Sequence, residues 1–251
     1  MGGDFKGHAA LPVNGPPQIS VVIPVANEAS ALPQCLERIS GAPNEVLVID
    51  AASEDATQGV ATAAGCRLLL SRERHRARQM NLGAAEARGR ILLFLHADTL
   101  LPRGALVKMI AAIDRSDVVG GAFSRRYRSR SPTLAITSRL AALRNRLFGW
   151  YLGDQAIFVR RNVFAELGGY RDIPIFEDLD FSRRLSAAGK TVTLTPPVYS
   201  SARRFARLGP LRTTWEDLIL TGRYLSGENP NDLCQARAER LRPLSTYERF
   251  S

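Results

Sequence analysis

The chain has 251 residues, 45% of them hydrophobic and 23% charged, a globular balance that excludes a mostly disordered protein. No run reaches the roughly 20 apolar residues of a membrane-spanning helix, since Ile91 to Leu101 is broken by His96 and Asp98. The formal net charge of +10 attracts polyanions, which leaves nucleic acid, anionic lipid and diphosphate ligands open without choosing among them.

Met1 to Pro17 is rich in Gly and Pro and lacks the apolar core of a secretory signal, so a flexible leader is expected over 1–17. Lys6 stands where a myristoylation motif on Gly2 wants Ser or Thr. Ile19 to Val25 is a β-branched run, the mark of a strand buried on both faces, and it ends at Asn27-Glu28. A helix follows over Ala31 to Ile39 and stops near Gly41 and Pro43. Glu45 to Ile49 is a second strand ending at Asp50, and Ser53 or Asp55 can cap the helix that runs to Ala64. Cys66 to Leu70 gives a third strand, and Arg76 to Ala87 a helix closed by Gly89. Ile91 to Leu95 is a fourth strand, ending at His96-Ala97-Asp98, and Pro102 opens the next helix. This alternation predicts a doubly wound, mostly parallel α/β sheet with helices on both faces.

After Val118 the pattern loosens. Strands are expected over Val118 to Tyr127, Gln155 to Arg160 and Thr191 to Leu194. Between the first two lies a basic amphipathic helix from about Thr133 to Phe148, which packs on the core or lies on an anionic membrane surface. A short helix ends at Gly168-Gly169, another starts at Glu177-Asp178, and a third spans about Leu211 to Tyr224. With no repeat or linker in view, one domain is expected over 18–228, followed by a polar, peripheral tail over 229–251. Cys35, Cys66 and Cys234 have no metal-like spacing and fit a reducing, cytoplasmic setting.

Asn27, Glu28, Asp50, His96 and Asp98 all fall just past strand ends, where open α/β sheets bind ligands. A single acid there is commonly a helix cap; three strand ends furnishing acids are harder to explain that way. No Gly-x-Gly-x-x-Gly and no Gly-rich Lys-Ser/Thr loop is present, which argues against a dinucleotide cofactor and a Walker-type NTPase. Glu28 and Asp50 are placed to accept hydrogen bonds from ribose hydroxyls or a base N–H.

Five segments in order carry a resemblance. They are Ile19-Ser-Val-Val-Ile-Pro-Val-Ala-Asn-Glu28, Val48-Ile-Asp-Ala-Ala-Ser-Glu-Asp-Ala-Thr57, Arg76-Ala-Arg-Gln-Met-Asn-Leu-Gly-Ala84, Phe94-Leu-His-Ala-Asp-Thr99 and Phe176-Glu-Asp-Leu-Asp-Phe-Ser-Arg-Arg-Leu185. Together they resemble family 2 glycosyltransferases of the Rossmann-like GT-A fold, over roughly Ile19 to Phe205. The His-Ala-Asp and Gly153-Asp-Gln155 variants resemble a subgroup of small, stand-alone bacterial members.

The resemblance implies a nucleotide-diphosphate sugar donor. Pro24, Val25, Asn27 and Glu28 would meet the nucleoside, with Glu28 near the ribose, and Asp50 would accept from the base, which suits UDP. Arg78 and Asn81 would flank the nucleotide, Gly83 would let that helix pack closely, and Ala97 lies inside the Asp98 motif. Asp98 matches the last acid of the family's Asp-x-Asp, which holds Mg²⁺ or Mn²⁺ on the diphosphate. His96 replaces the first acid, so its place as a ligand is the weaker one. Glu177-Asp178 matches the acceptor-side pair, with Asp178 as general base for inverting transfer and Glu177 positioning it. Asp154 and Gln155 are expected at the acceptor pocket. Arg203-Arg204-Phe205 resembles the Arg-Arg-Trp of processive members, with Arg204 on the diphosphate side; Phe in place of Trp argues against processivity. The acceptor is an unknown hydroxyl, with lipid-linked acceptors raising the case for peripheral membrane contact.

Two other readings compete. A sugar-phosphate nucleotidyltransferase typically begins with a Gly-rich loop, whereas the first strand here leads into Asn27-Glu28. A basic nucleic-acid-binding protein would match the charge, but no zinc, RNA-recognition or helix-turn-helix signature is present, so no nucleic-acid partner is expected.

Overall fold

Strand β1 (Ile19–Val25) lies inside a seven-stranded sheet in the order β3-β2-β1-β4-β6-β5-β7 in the computed structural model, which describes residues 17–39 and 44–240. The leader expected over 1–17 falls, except for Pro17, outside the described residues, as do Gly41, Pro43 and the end of the tail. β1 is flanked in parallel by β2 (Asn44–Asp50) and β4 (Ile91–Phe94), and β2 by β3 (Arg67–Leu70). β6 (Ile157–Arg160) runs antiparallel to both β4 and β5 (Val118–Tyr127), and β7 (Lys190–Ser200) returns parallel to β5. The sheet is therefore mostly parallel, with one reversed strand.

Alternation along each strand divides the core into two layers. Val21, Ile23, Ile91 and Leu93 face one side, where they meet α1 (Leu32–Glu37), α2 (Thr57–Ala63) and α4 (Ala105–Ile113) through Leu32, Ala61 and Met109. Val22, Leu92 and Phe94 face the other, against α3 (Arg76–Glu86), α6 (Arg161–Glu166) and α7 (Glu177–Ala188) through Met80, Phe164 and Phe181. Gly83 sets the spacing of α3: a Cβ there would lie 2.7 Å from Ile49 Cδ1 and closer still to Val22 Cγ1.

The connection from β5 forms α5 (Pro132–Phe148), and after β7 come α8 (Arg203–Leu208), α9 (Pro210–Leu225) and α10 (Pro230–Arg240). The segment after Asn229, expected as a polar tail, is helical through α10, and its Leu233 is fully buried with Ile175 and Leu220. One leucine in a polar helix leaves too weak a periodicity to announce this. Among the described residues no helix is long and apolar enough to cross a membrane.

Candidate active site

β1 pairs with β2 on one side and β4 on the other, so the chain leaves its carboxyl end in opposite directions and a crevice opens there. A cleft of about 300 Å³ occupies it. Its walls include Pro24 and Val25 at the end of β1 and Glu28 just past it, His96, Ala97 and Asp98 after β4, Arg74 from the loop before α3, and Arg76 and Gln79 from the start of α3.

The loops after β1 and β2 brace one another. Asn27 adopts a left-handed φ of 58°, which asparagine tolerates better than most residues, and its side chain turns away from the cleft. Its Oδ1 accepts from Glu54 N at 2.8 Å, and its own N–H donates to Ser53 Oγ at 2.8 Å. Glu28 N donates to Thr57 Oγ1 at 2.9 Å, and it is Asp55, not Ser53, that receives the Thr57 N–H at the start of α2. Asp50 is fully buried rather than open to the cleft: it accepts from Ser53 N at 3.1 Å, Gln58 Nε2 at 2.8 Å and the Ser53 hydroxyl.

The structure corrects the residues expected from α3. Arg76 and Gln79, three apart and on one helical face, reach the cleft, and Gln79 Nε2 donates to Val25 O at 3.0 Å and Ile49 O at 2.7 Å. Arg78 is two residues from Arg76 and so points elsewhere, pairing with Asp172 at 2.8 Å and with Glu73. Asn81 is a structural clamp, accepting from Tyr170 N at 2.9 Å and donating to Tyr170 O at 2.8 Å. Arg76 was legible only to a reader who fixed which face of α3 looks at the sheet's end, and Arg74 stands in the loop before it.

Arg203, named in the Arg-Arg-Phe segment but given no role there, stands at the start of α8. Its Nη2 meets Glu28 Oε2 at 2.8 Å and Asp98 Oδ2 at 3.2 Å, spanning the two acids at the cleft mouth. Arg204, expected on the diphosphate side, lies about 100° further round the helix and pairs with Asp217 of α9 instead.

His96 lines the cleft floor, and its Nε2 is buried with no hydrogen-bond partner. Burial, helped by the charge of Arg76, pushes its pKa below the usual value, so the ring is neutral at pH 7 with a lone pair to offer. Among the described residues no three His, Cys, Asp or Glu side chains are grouped to hold a metal ion alone. Asp98 in the cleft wall is an acid that could hold Mg²⁺ or Mn²⁺ once diphosphate oxygens supply further ligands, whereas His96 Nε2 is sealed against Gly153.

Gly153, in the turn ahead of β6, lies between the loop after β4 and the first turn of α7. Its N–H donates to Asp178 Oδ2 at 2.5 Å, and a Cβ placed on it would lie 2.7 Å from His96 Nε2 and 3.2 Å from Asp178 Oδ2. His96 and Asp178, remote in sequence, thus flank one point. Phe176, at a φ of 65°, turns the chain into α7 and delivers Glu177 and Asp178 to its first turn. Glu177 is buried against Arg76 at 3.2 Å; burial, then the charge of Asp178, pushes its pKa up to about 7 against the pull of Arg76.

Asp154 accepts from the buried Arg125 Nη1 at 2.7 Å. Burial alone would raise its pKa, but Arg125 holds it below the ordinary range. Gln155, expected in the acceptor pocket, is corrected to a core brace: Arg144 Nη2 donates to its Oε1 at 2.8 Å, and its Nε2 donates to Phe123 O at 3.1 Å. The tight turn over Gly153–Gln155 swings that amide inward, where only full pairing makes burial tolerable.

A family model described as glycosyl transferase family 2 matches residues 20–166. The chain is 31% identical over 192 residues to a PGL/p-HBAD biosynthesis glycosyltransferase of Mycobacterium bovis, covering 70% of this chain and 73% of that one. In structure it is similar to S. aureus TarS 1-349 in complex with UDP-GlcNAc, at a TM-score of 0.61 and 16% identity over 73% of this chain. It spans 58% of that protein's length. A second likeness is to the mannosyltransferase PcManGT of Pyrobaculum calidifontis in complex with GDP-Man and Mn²⁺. There the TM-score is 0.60 and the identity 22%, over 87% of this chain and 67% of the other.

Proposed function

The chain belongs to glycosyl transferase family 2, and on that footing we propose that it moves a hexosyl group from a UDP-sugar to an acceptor hydroxyl, with inversion at the anomeric carbon. The observation that carries this reading is convergence. Asp98 and Arg76 in the cleft, and His96 and Asp178 on either side of Gly153, meet at the carboxyl ends of β1 and β4.

The nucleoside lies along Pro24 to Glu28, and Ala97 leaves room beside it. Asp50 accepts the base N–H when the Gln58 amide gives way, since that donor sits at the end of a long side chain whereas the Ser53 N–H and hydroxyl belong to the loop itself. Arg74 and Arg76 supply positive charge for the diphosphate, and Arg203 leaves Glu28 and Asp98 as the donor enters. A divalent ion, Mg²⁺ or Mn²⁺, held by Asp98 with His96 beside it, would neutralise charge on the departing diphosphate. The acceptor oxygen attacks the anomeric carbon as its proton passes to Asp178, and the bond from that carbon to the diphosphate oxygen breaks. Glu177, clamped by Arg76, fixes the start of α7 and so the position of Asp178. All three cysteines are free thiols, which supports a reducing, cytoplasmic setting.

Thermal unfolding against UDP, GDP and dTDP, each with Mn²⁺ or EDTA, tests the donor assignment, because a ligand of the native state raises Tm. UDP with Mn²⁺ should stabilise more than either alone. A strong preference for GDP or dTDP refutes the carrier, and indifference to EDTA refutes the metal.

A further inference from the structure

Helix α5 carries Ile136, Leu140, Leu143 and Leu147, each more than half exposed. At 3.6 residues per turn these four fall within an arc of roughly 60°. The buried residues of the same helix, Leu134, Ala141 and Asn145, lie on the opposite side. The apolar stripe of α5 therefore points away from the core. Helix α9, which packs beside α5, repeats the arrangement. Leu211, Trp215, Leu218 and Leu225 share an arc of about 80°, opposite the buried Thr213 and Leu220. Single exposed leucines are ordinary, but two adjacent helices both turning an apolar stripe outward make a surface that calls for a partner.

Charge selects the partner. Over its whole length α5 has three arginines and no acid. Arg139 and Arg146 border the stripe, are exposed, and make no ion pair among the described residues. A second copy of the chain would bring the same cationic stripe against this one, and the acids of α9 are already engaged, Glu216 by Arg212 and Asp217 by Arg204. An anionic lipid surface complements both features: leucines and the Trp215 indole enter the acyl boundary while the arginines meet phosphates.

The surface adjoins the cleft. Arg128, in the turn that leads into α5, donates to Asp98 O at 3.3 Å, and Arg203, on the short helix α8 that precedes α9, pairs with Glu28 and Asp98. We propose that the outward faces of α5 and α9 dock on an anionic phospholipid bilayer, setting the cleft mouth at the membrane surface, where an amphiphilic acceptor presents its hydroxyl. Docking stands apart from the transferase assignment, whereas the membrane origin of the acceptor rests on it.

The test uses the full chain with vesicles of phosphatidylcholine alone or mixed with phosphatidylglycerol. Trp150→Phe leaves Trp215 as the sole tryptophan and the reporter. Phosphatidylglycerol vesicles should float the protein and shift Trp215 emission to the blue, with salt weakening both. Leu140→Ser/Leu143→Ser and Leu218→Ser should each lower vesicle affinity at least about tenfold. The same variants should keep the wild-type Tm shift with UDP, so loss of docking and loss of donor binding are read separately. Failure to float at low salt, or serine variants that bind vesicles like wild type, overturns the proposal. A dimer that the serine variants dissociate assigns the face to a second copy and overturns it too. So does a free monomer whose Trp215 is already blue and shielded from acrylamide, which assigns the face to the chain's own ends.

Discussion

Gly153→Ala is a small change with a large expected effect. The Cβ would sit 2.7 Å from His96 Nε2, 3.0 Å from His96 Cε1 and 3.2 Å from Asp178 Oδ2. Reaching ordinary contact on the histidine side needs a displacement of roughly 0.8 Å. Gly153 does not use a left-handed φ, so the backbone itself accepts alanine and the strain falls on those two side chains. Overpacking of this kind costs about 1–3 kcal/mol, which lowers Tm by about 2–12 °C for a chain of this size. Turnover should fall further, about 10²-fold, because misplacing reacting groups by about an ångström costs that much. Scanning fluorimetry gives the first quantity, and release of UDP from a UDP-sugar gives the second while the acceptor is being sought. Gly59→Ala is the matched control: nothing lies within 4 Å of its added Cβ inside α2. It should gain about 0.5–1 kcal/mol with no change in rate. A Gly153→Ala protein that loses the expected Tm yet turns over like wild type would show that chemistry does not happen between His96 and Asp178.

Asp98→Ala should abolish metal-dependent nucleotide binding and His96→Ala only weaken it, by calorimetry with Mn²⁺; equal losses would make His96 a full ligand. Asp154→Asn strips the counterion from Arg125, whose side chain is only 5% exposed, and should cost about 3–5 kcal/mol. Urea titration of Arg125→Met/Asp154→Asn should recover most of that, and no recovery would mean the pair is not the source of the loss. Glu177, with its pKa raised by burial from 4.5 to about 7, adds stability that is fully present below about pH 4.5 and is lost as pH rises through about 7. Glu177→Gln lacks that decline, so between pH 5 and pH 8 its stability relative to wild type should rise by up to about 3 kcal/mol, and a pH-independent difference would contradict the burial account.

The parallel half of the fold was legible because its strands are short apolar runs, β-branched in β1, and its polar residues cluster at their carboxyl ends. The reversal of β6 left no mark, since a strand buried on both faces reads alike in either direction. In the site, sequence position located Glu28, His96 and Asp98 but not where neighbouring side chains point. Arg78 and Arg76 are two residues apart in one motif, and only the docking of α3 shows that Arg76 faces the cleft. Arg203 and Arg204 differ in the same way. The period of α5 was also visible, but not which of its faces meets the core: the leucine stripe that would ordinarily be buried is the exposed one.

The central claim, that this cleft transfers a sugar with Asp178 as base, is tested most directly by Asp178→Asn. The substitution keeps size and one acceptor oxygen for the Gly153 N–H while removing the basic carboxylate. Donor affinity, measured by titration with a UDP-sugar and Mn²⁺, should stay close to wild type. Transfer should fall at least about 10²-fold, the lower end for a positioned base, so that the loss appears in kcat rather than in binding. An Asp178→Asn enzyme with undiminished transfer would contradict the account and leave Asp178 as an acid at the start of a helix.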